Sequence, residues 1–427
     1  NHSCAMYPIM KFDSVAILAQ AVWLKFAGKR TTSKAERIML PFLAALVHGA
    51  PSLFAVETLK LSPPMSRPNR VAVFNNKLMV LDTGHSMLFD CNVTSCPPAG
   101  CPCKEVVERG LLRSPQGLFV SPNGTVLVAD TGNCVVRRFD PRPDGAATFG
   151  KGEVILGVVE RCERKCGNYA ASDTRLTHPH GVSANSDLSS IWIANTGAAC
   201  VLRLDRAGTS EATVRMLVSQ FESHVVVPGV LRGRPVVYIG GLAGVLIGAS
   251  DGNISTLISS NTRGHRDGEP GVAQLNYVHD IVQASNTLLL VEYFTNRLRR
   301  IRLGPRSIQI ETLAGRGSSE PYANQHEDGP AHEARFRTIS GLAVGMDRVF
   351  MTEYQSGRVR QMYYVNPLLN NLTEVYHAAI PTDESTPPPC PVAVANIAPW
   401  PSGPCWGVSF VLLCVVHGSA HFALLCP

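Results

Sequence analysis

Ser114-Pro-Gln-Gly-Leu-Phe-Val-Ser-Pro-Asn-Gly-Thr-Val-Leu-Val-Ala-Asp130, continued by Thr131-Gly-Asn-Cys-Val-Val-Arg-Arg-Phe139, is the stretch whose reading decides the fold. Two short runs of Leu, Phe and Val flank Ser-Pro-Asn-Gly, a tight-turn phrase in which Asn and Gly supply the backbone conformations that other residues resist. The second run ends in an acid, and a third strand carrying Arg137 and Arg138 follows. That is a meander of short strands bounded by Gly, Pro, Asn and Asp.

The phrase recurs along the chain. It returns as His178-Pro-His-Gly-Val-Ser183 with Ile191-Trp-Ile-Ala-Asn-Thr-Gly197, and as Val278-His-Asp-Ile-Val282 with Leu289-Leu-Val-Glu-Tyr-Phe294. Further copies are Ile339-Ser-Gly-Leu-Ala-Val344 with Val349-Phe-Met-Thr-Glu-Tyr354, and Val71-Ala-Val-Phe74 with Leu78-Met-Val-Leu-Asp-Thr-Gly-His85. The strand-ending residues Asp82, Asp130, Asn195, Glu292 and Glu353 mark the copies. They recur about every 50 to 65 residues, with one interval of about two repeats. A degenerate copy, Val236-Val-Tyr-Ile-Gly240 then Val245-Leu-Ile-Gly-Ala249, fills the long interval and brings the count to six units over residues 66–378. A small sheet of this kind cannot bury both faces alone, and radial repetition lets neighbours bury them while leaving only short edges. The expected fold is all-β, a six-bladed β-propeller, and weak 3.6-residue periodicity argues against a helical solenoid.

These phrases resemble NHL repeats, a family of propeller blades with a Pro-x-Gly-hydrophobic strand, a Val-Ala-Asp strand end and a basic third strand. The loops Arg266-Asp-Gly-Glu-Pro-Gly-Val-Ala-Gln-Leu275 and Glu327-Asp-Gly-Pro-Ala-His-Glu-Ala-Arg-Phe336 are also similar to that family's blade connections. The resemblance covers about three quarters of the chain and implies a ring whose loop face holds a partner.

Composition sets the surroundings. The chain has 427 residues, 45% hydrophobic and 17% charged, with a net charge of +6 and no dense Lys/Arg run, so nucleic acid is not an expected partner. Among thirteen cysteines, Cys91, Cys96, Cys101, Cys103, Cys162 and Cys166 fall in two clusters. Such clusters suit disulfides in an oxidising compartment, with pairing left open, or a metal site in a reducing one. Cys134 and Cys200, on similar strands of adjacent blades, read as buried thiols. Sequons at Asn92, Asn123, Asn253 and Asn371 favour the secretory route, to the cell surface or outside.

The termini differ from the repeat. Residues 1–55 are expected to be a leader: Arg30, Lys34 and Arg37 precede the apolar run Met39–His48, with the run Val15–Phe26 as a substitute. The alternative is a segment kept in the core. Residues 379–405 read as a Pro-rich linker around Thr386-Pro-Pro-Pro-Cys-Pro391. Residues 406–427 are an apolar tail without Lys or Arg, read as a membrane span or a GPI-attachment signal.

For chemistry, His180 and His279 stand at the start of innermost strands, where side chains can enter the channel mouth. Zinc wants three or four such ligands. The arrangement resembles the peptidyl-hydroxyglycine amidating lyases, secreted six-bladed propellers that hold zinc on three channel histidines. One of that family's histidines likewise lies in His-Asp-Ile-Val, as His279 does here. The resemblance implies a third histidine on the blade opening at Pro68-Asn-Arg-Val-Ala-Val73, but Asn69 and Arg70 stand there, so Asp280 or water would complete the set. The other reading has each histidine bonded to loop backbone. The repeated acids are expected to brace turns, and Arg137, Arg138, Arg299, Arg300 and Arg302 to lie solvated on outer strands. No nucleophile elbow, phosphate-cradling loop or dinucleotide fingerprint is present. Three functions follow: a secreted or surface propeller binding a protein or glycan, a zinc-dependent enzyme of the amidating-lyase kind, or an intracellular module binding RNA or protein.

Overall fold

The computed structural model describes Leu46, Gly49, residues 53–365 apart from 143–147, 243, 250–252, 260–262, 306 and 317–325, and two strands near the C-terminus. Within residues 53–365 the strands form six sheets of four or five strands, antiparallel except where Leu61–Ser62 pairs parallel with Cys101–Glu105, the blades of a β-propeller. Their inner strands are Pro68–Phe74, Gly117–Val120, Pro179–Ala184, Ser223–Leu231, Val278–Ala284 and Ile339–Gly345, for blades 1 to 6. Each packs against the inner strand of the next blade, and blade 6 returns to blade 1. The core lies between blades, where Val, Leu, Ile, Phe and Met side chains from facing sheets interdigitate.

The ring closes with a strand from far upstream. Phe54–Leu59 pairs antiparallel with Arg358–Tyr364 as the outer strand of blade 6. The ring therefore begins before residue 66, the start read from the repeat, because this strand lies some 300 positions from its own blade and carries no repeat phrase. Of the run Met39–His48, Leu46 is fully buried against blades 5 and 6. Its carbonyl accepts Arg300 Nη1 at 2.9 Å, and that of Gly49 accepts Arg300 Nη2 at 2.7 Å. The Pro-rich linker residues lie outside the described residues. At the C-terminal end Phe410–Val416 and Ser419–Leu425 pair as a hairpin. No helix among the described residues is long and apolar enough to cross a membrane.

Blade 4 needs a correction. Val236–Gly240 belongs to its second strand, Arg234–Gly241, and the first is Ser223–Leu231. The repeat signal slipped by one strand because Gly241 stands where the other blades carry an acid or amide. The basic third strands are only partly solvated: Arg138 and Arg302 are half-exposed. Arg137, Arg299 and Arg300 are buried, and Arg137 and Arg299 pair with Asp130 at 2.7 Å and Glu292 at 3.0 Å. In blades 2, 5 and 6 alternation along the third strand turns one arginine, Arg137, Arg299 or Arg360, toward the acid that ends the second strand.

Four disulfides occupy the described residues: Cys91–Cys103, Cys96–Cys101, Cys134–Cys162 and Cys166–Cys200. Every clustered cysteine is paired, and Cys134 and Cys200 are partners rather than free thiols. Cys134, in the turn just before the third strand of blade 2, and Cys200, the first residue of the third strand of blade 3, thus hold the two ends of one short loop, Cys162–Cys166. Replacing Cys166 and Cys200 together by serine is expected to destabilise the ring by about 2–4 kcal/mol, read as a lowered urea midpoint, because the chain between them is then unconstrained in the unfolded state.

Candidate functional site

The second residue of each inner strand, or the one just before it in blade 2, is polar: Asn69, Gln116, His180, His224, His279 and Ser340. A backbone device aims them. In five blades the ladder slips where this residue stands, between Pro68 and Arg70, Pro179 and Val182, Ser223 and Val225, Val278 and Asp280, and Ile339 and Gly341. A bulge of this kind leaves a residue unpaired and re-aims its side chain. The residue two positions earlier adopts positive φ in four blades, at Ser114, His178, Tyr277 and Thr338, which turns the incoming loop toward the axis.

The strand-ending acids and amides anchor those loops. Asp82 accepts the N–H groups of Ser66 and Arg67, Asp130 that of Arg113, Asn195 that of Thr177, and Glu292 that of Asn276. Their regular recurrence thus serves the turn-bracing role expected of them, and each brace holds the loop that presents a channel residue.

Three consecutive blades bring their histidines together. One ring nitrogen from each of His180, His224 and His279 lies within 4.8 Å of the other two. His224 was missed in the sequence because its blade was read one strand late; its place 44 residues after His180, a blade's length, was the available signal. Asp280, offered above as a possible ligand, is not in the group. Its oxygens accept the N–H groups of Ile281 and Leu342, and Arg70 Nε lies 3.7 Å away.

His224 and His279 are buried and His180 is half-buried. His224 Nδ1 is 2.9 Å from His180 Nδ1, so one carries the proton that the other accepts. His224 Nε2 has no hydrogen-bond partner among the described residues; Glu222 stands 3.5 Å off, too far for a good bond. His279 Nδ1 is 2.8 Å from both the Ser340 carbonyl and Arg70 Nη1. The aromatic rings of Tyr277 and Tyr293 line the group, Tyr277 4.5 Å from His224 and Tyr293 5.1 Å from His279 between ring centres.

Burial, reinforced by the Arg70 charge, lowers the pKa of His224 to about 3. Burial likewise holds His180 and His279 well below the ordinary imidazole range, helped by His224 and Arg70. Burial also raises the Tyr277 phenol, with Glu222 adding to it, so Tyr277 stays protonated at neutral pH. Three neutral imidazoles are the form a metal accepts. The donor set suits zinc and leaves a position open, as catalytic zinc sites do. His279 Nδ1 can serve only one of these neighbours as a hydrogen bond: protonated, it donates to the Ser340 carbonyl and leaves Nε2 a free lone pair, the outer-shell arrangement common to metal-bound histidine, and unprotonated it accepts from Arg70 Nη1.

The low imidazole values fix a pH dependence for the metal-free protein. Below about pH 6.5 the unfolded chain takes protons on these histidines that the folded chain refuses, so stability falls as pH falls, by up to about 1.4 kcal/mol per pH unit for each group. The loss begins near pH 6.5 and for His224 continues toward its folded value of about 3. Asp280 and Glu292, raised by burial, act in the opposite sense from the ordinary carboxyl range upward. Thermal melts between pH 7 and 5 should therefore drop steeply, and a His224→Gln variant should show a shallower slope.

No known family profile matches the chain, and no curated protein is significantly similar to it in sequence. In fold it is similar to an auxiliary nutrient binding protein from Bacteroides thetaiotaomicron, at 12% identity over 73% of this chain and 77% of that one, with a TM-score of 0.53. An auxiliary nutrient binding protein from Bacteroides ovatus gives 14% identity over 72% and 76%, also with a TM-score of 0.53. Likeness at this identity speaks for the six-bladed fold.

Proposed function

We propose that this chain is an extracellular or cell-surface propeller of NHL type that holds a zinc ion on His180, His224 and His279 and acts on a ligand received at its loop face. The convergence of the three imidazoles carries this reading. When bound, zinc would polarise a substrate oxygen or lower the pKa of a water. The chain's own residues do the rest. The bulged inner strands orient the imidazoles, burial keeps them neutral, and Tyr277, Tyr293 and Phe294 form an aromatic wall that shelters them. The resemblance to the amidating lyases now extends to three channel histidines, although the third lies on blade 4 and not on blade 1. It makes a peptidyl-hydroxyglycine the first substrate to try.

The secretory setting is supported by the four disulfides and by the exposure of Asn92, Asn123 and Asn253. Asn371 lies outside the described residues. The test is metal content and turnover of the full chain secreted from eukaryotic cells. Bound zinc near one equivalent, with turnover lost on chelation and regained with zinc, supports the reading; glycosylated, folded protein that takes up no zinc rejects its metal part.

A second reading has support of its own: a binding scaffold without chemistry, its ligand a protein or glycan. His180 and His224 already bond one another, and His279 Nδ1 is held between Arg70 and the Ser340 carbonyl, so most of the site's polar atoms have protein partners without a metal. Ligand capture by the metal-free protein, undiminished by a chelator, would favour it.

A further inference from the structure

Arg70 is the third residue of the inner strand of blade 1, where blades 2, 3 and 6 carry Gly117, Gly181 and Gly341. A Cβ at Gly117 would collide with the His180 carbonyl, so at this level glycine lets neighbouring inner strands meet backbone to backbone. Blade 1 alone sends a long side chain inward there. Arg70 Nη2 donates to the carbonyl of His224 at 3.2 Å and to that of His279 at 2.9 Å, and Nη1 donates to the carbonyl of Ser340 at 3.0 Å. Nη1 also bonds Asn69 Oδ1 at 3.0 Å. In a closed ring of six, blade 4 lies opposite blade 1, so the bond to His224 crosses the axis. Arg70 is only 4% exposed.

We infer that Arg70 is a plug and positioning residue: it bars the central channel at the level of the histidine carbonyls, ties blade 1 to blades 4, 5 and 6, and makes the site a cup with one mouth, at the loop face. Its planar fork suits the task, because five N–H donors in one plane reach acceptors on several blades at once, which the point charge of lysine does not. Both Nη groups are bonded to the protein and Nε faces Asp280 at 3.7 Å, so Arg70 holds the histidine backbone and does not contact the ligand. The barrier stands whether or not a metal binds; the statement that ligand enters from one side rests on the histidine group being the site.

Metal-free full-length protein treated with diethyl pyrocarbonate, with each histidine followed by peptide mass spectrometry, tests this. In the wild type, half-buried His180 should react and His224 and His279 should be protected. In Arg70→Ala, His224 and His279 should react about tenfold faster or more, as local protection is lost, and millimolar guanidinium should restore protection by refilling the gap. Arg70→Lys should restore it only in part. If Arg70→Ala does not fold, Arg70→Gln, which cannot span the axis, gives the same reading. A folded variant with His224 and His279 as protected as in the wild type, or with loss of protection that guanidinium leaves unchanged, overturns the inference. Failure of the wild type to take up zinc would sink the metal reading alone.

Discussion

A His224→Ala variant is expected to fold like the wild type and to lose tight zinc binding. His224 is the middle member of the three, in contact with both His180 and His279, so its removal leaves two imidazoles and a neighbouring guanidinium. Losing an outer-shell partner lowers metal affinity about 10–100-fold; losing one of three ligands should exceed that, and competition with a chromophoric chelator would measure it. The fold should survive because the imidazole lies in the channel and not in the inter-blade core, although the vacated volume is expected to lower stability by about 1–3 kcal/mol. His180→Ala and His279→Ala should behave alike in zinc binding. An Asp280→Asn variant should retain zinc, since that carboxylate is engaged by backbone N–H groups and Arg70.

The second large effect is predicted for Glu292→Ala. Glu292 is fully buried, pairs with fully buried Arg299 at 3.0 Å, and accepts Thr295 Oγ1 at 2.7 Å and the N–H of Asn276 at 2.8 Å. Breaking a buried pair by removing one partner strands the other charge, at about 3–5 kcal/mol. Asp267, 2.9 Å from Arg299 and half exposed, remains as a partner, so the lower end of that range is expected in urea unfolding. The loop held through Asn276 leads by Tyr277 and Val278 to His279, so the variant should weaken zinc binding as well. Glu292→Gln keeps an oxygen for the Asn276 N–H and should retain more of both. Equal loss of stability without any change at the metal would show that the brace serves the blade alone.

The ring was legible in the sequence because each blade repeats local chemistry: a turn phrase, an apolar strand, an acid at its end. What escaped depends on contacts between distant residues. Phe54–Leu59 has no local mark of its role, and only pairing with Arg358–Tyr364 makes it part of blade 6. Arg299 looks like a surface residue until Glu292 on the neighbouring strand is placed beside it. Cys134 and Cys200 sit at the starts of third strands, so their pairing with loop cysteines depends on how the blade connections fold back. His180 and His279 could be singled out because they stand in recognisable repeat phrases. His224 could not, because Gly241 replaces the acid that marks its blade. With the inner strand of blade 4 placed, the third histidine falls in register with the other two.

The most direct test of the metal centre is X-ray absorption at the zinc edge of the full chain loaded with one equivalent of zinc. Nitrogen scatterers at about 2.0–2.1 Å with an imidazole pattern fitting three histidines are the predicted result. Sulfur scatterers near 2.3 Å would place the metal on cysteines instead, and no uptake at all would leave the histidine cluster a hydrogen-bonded group without a metal; either would contradict the account.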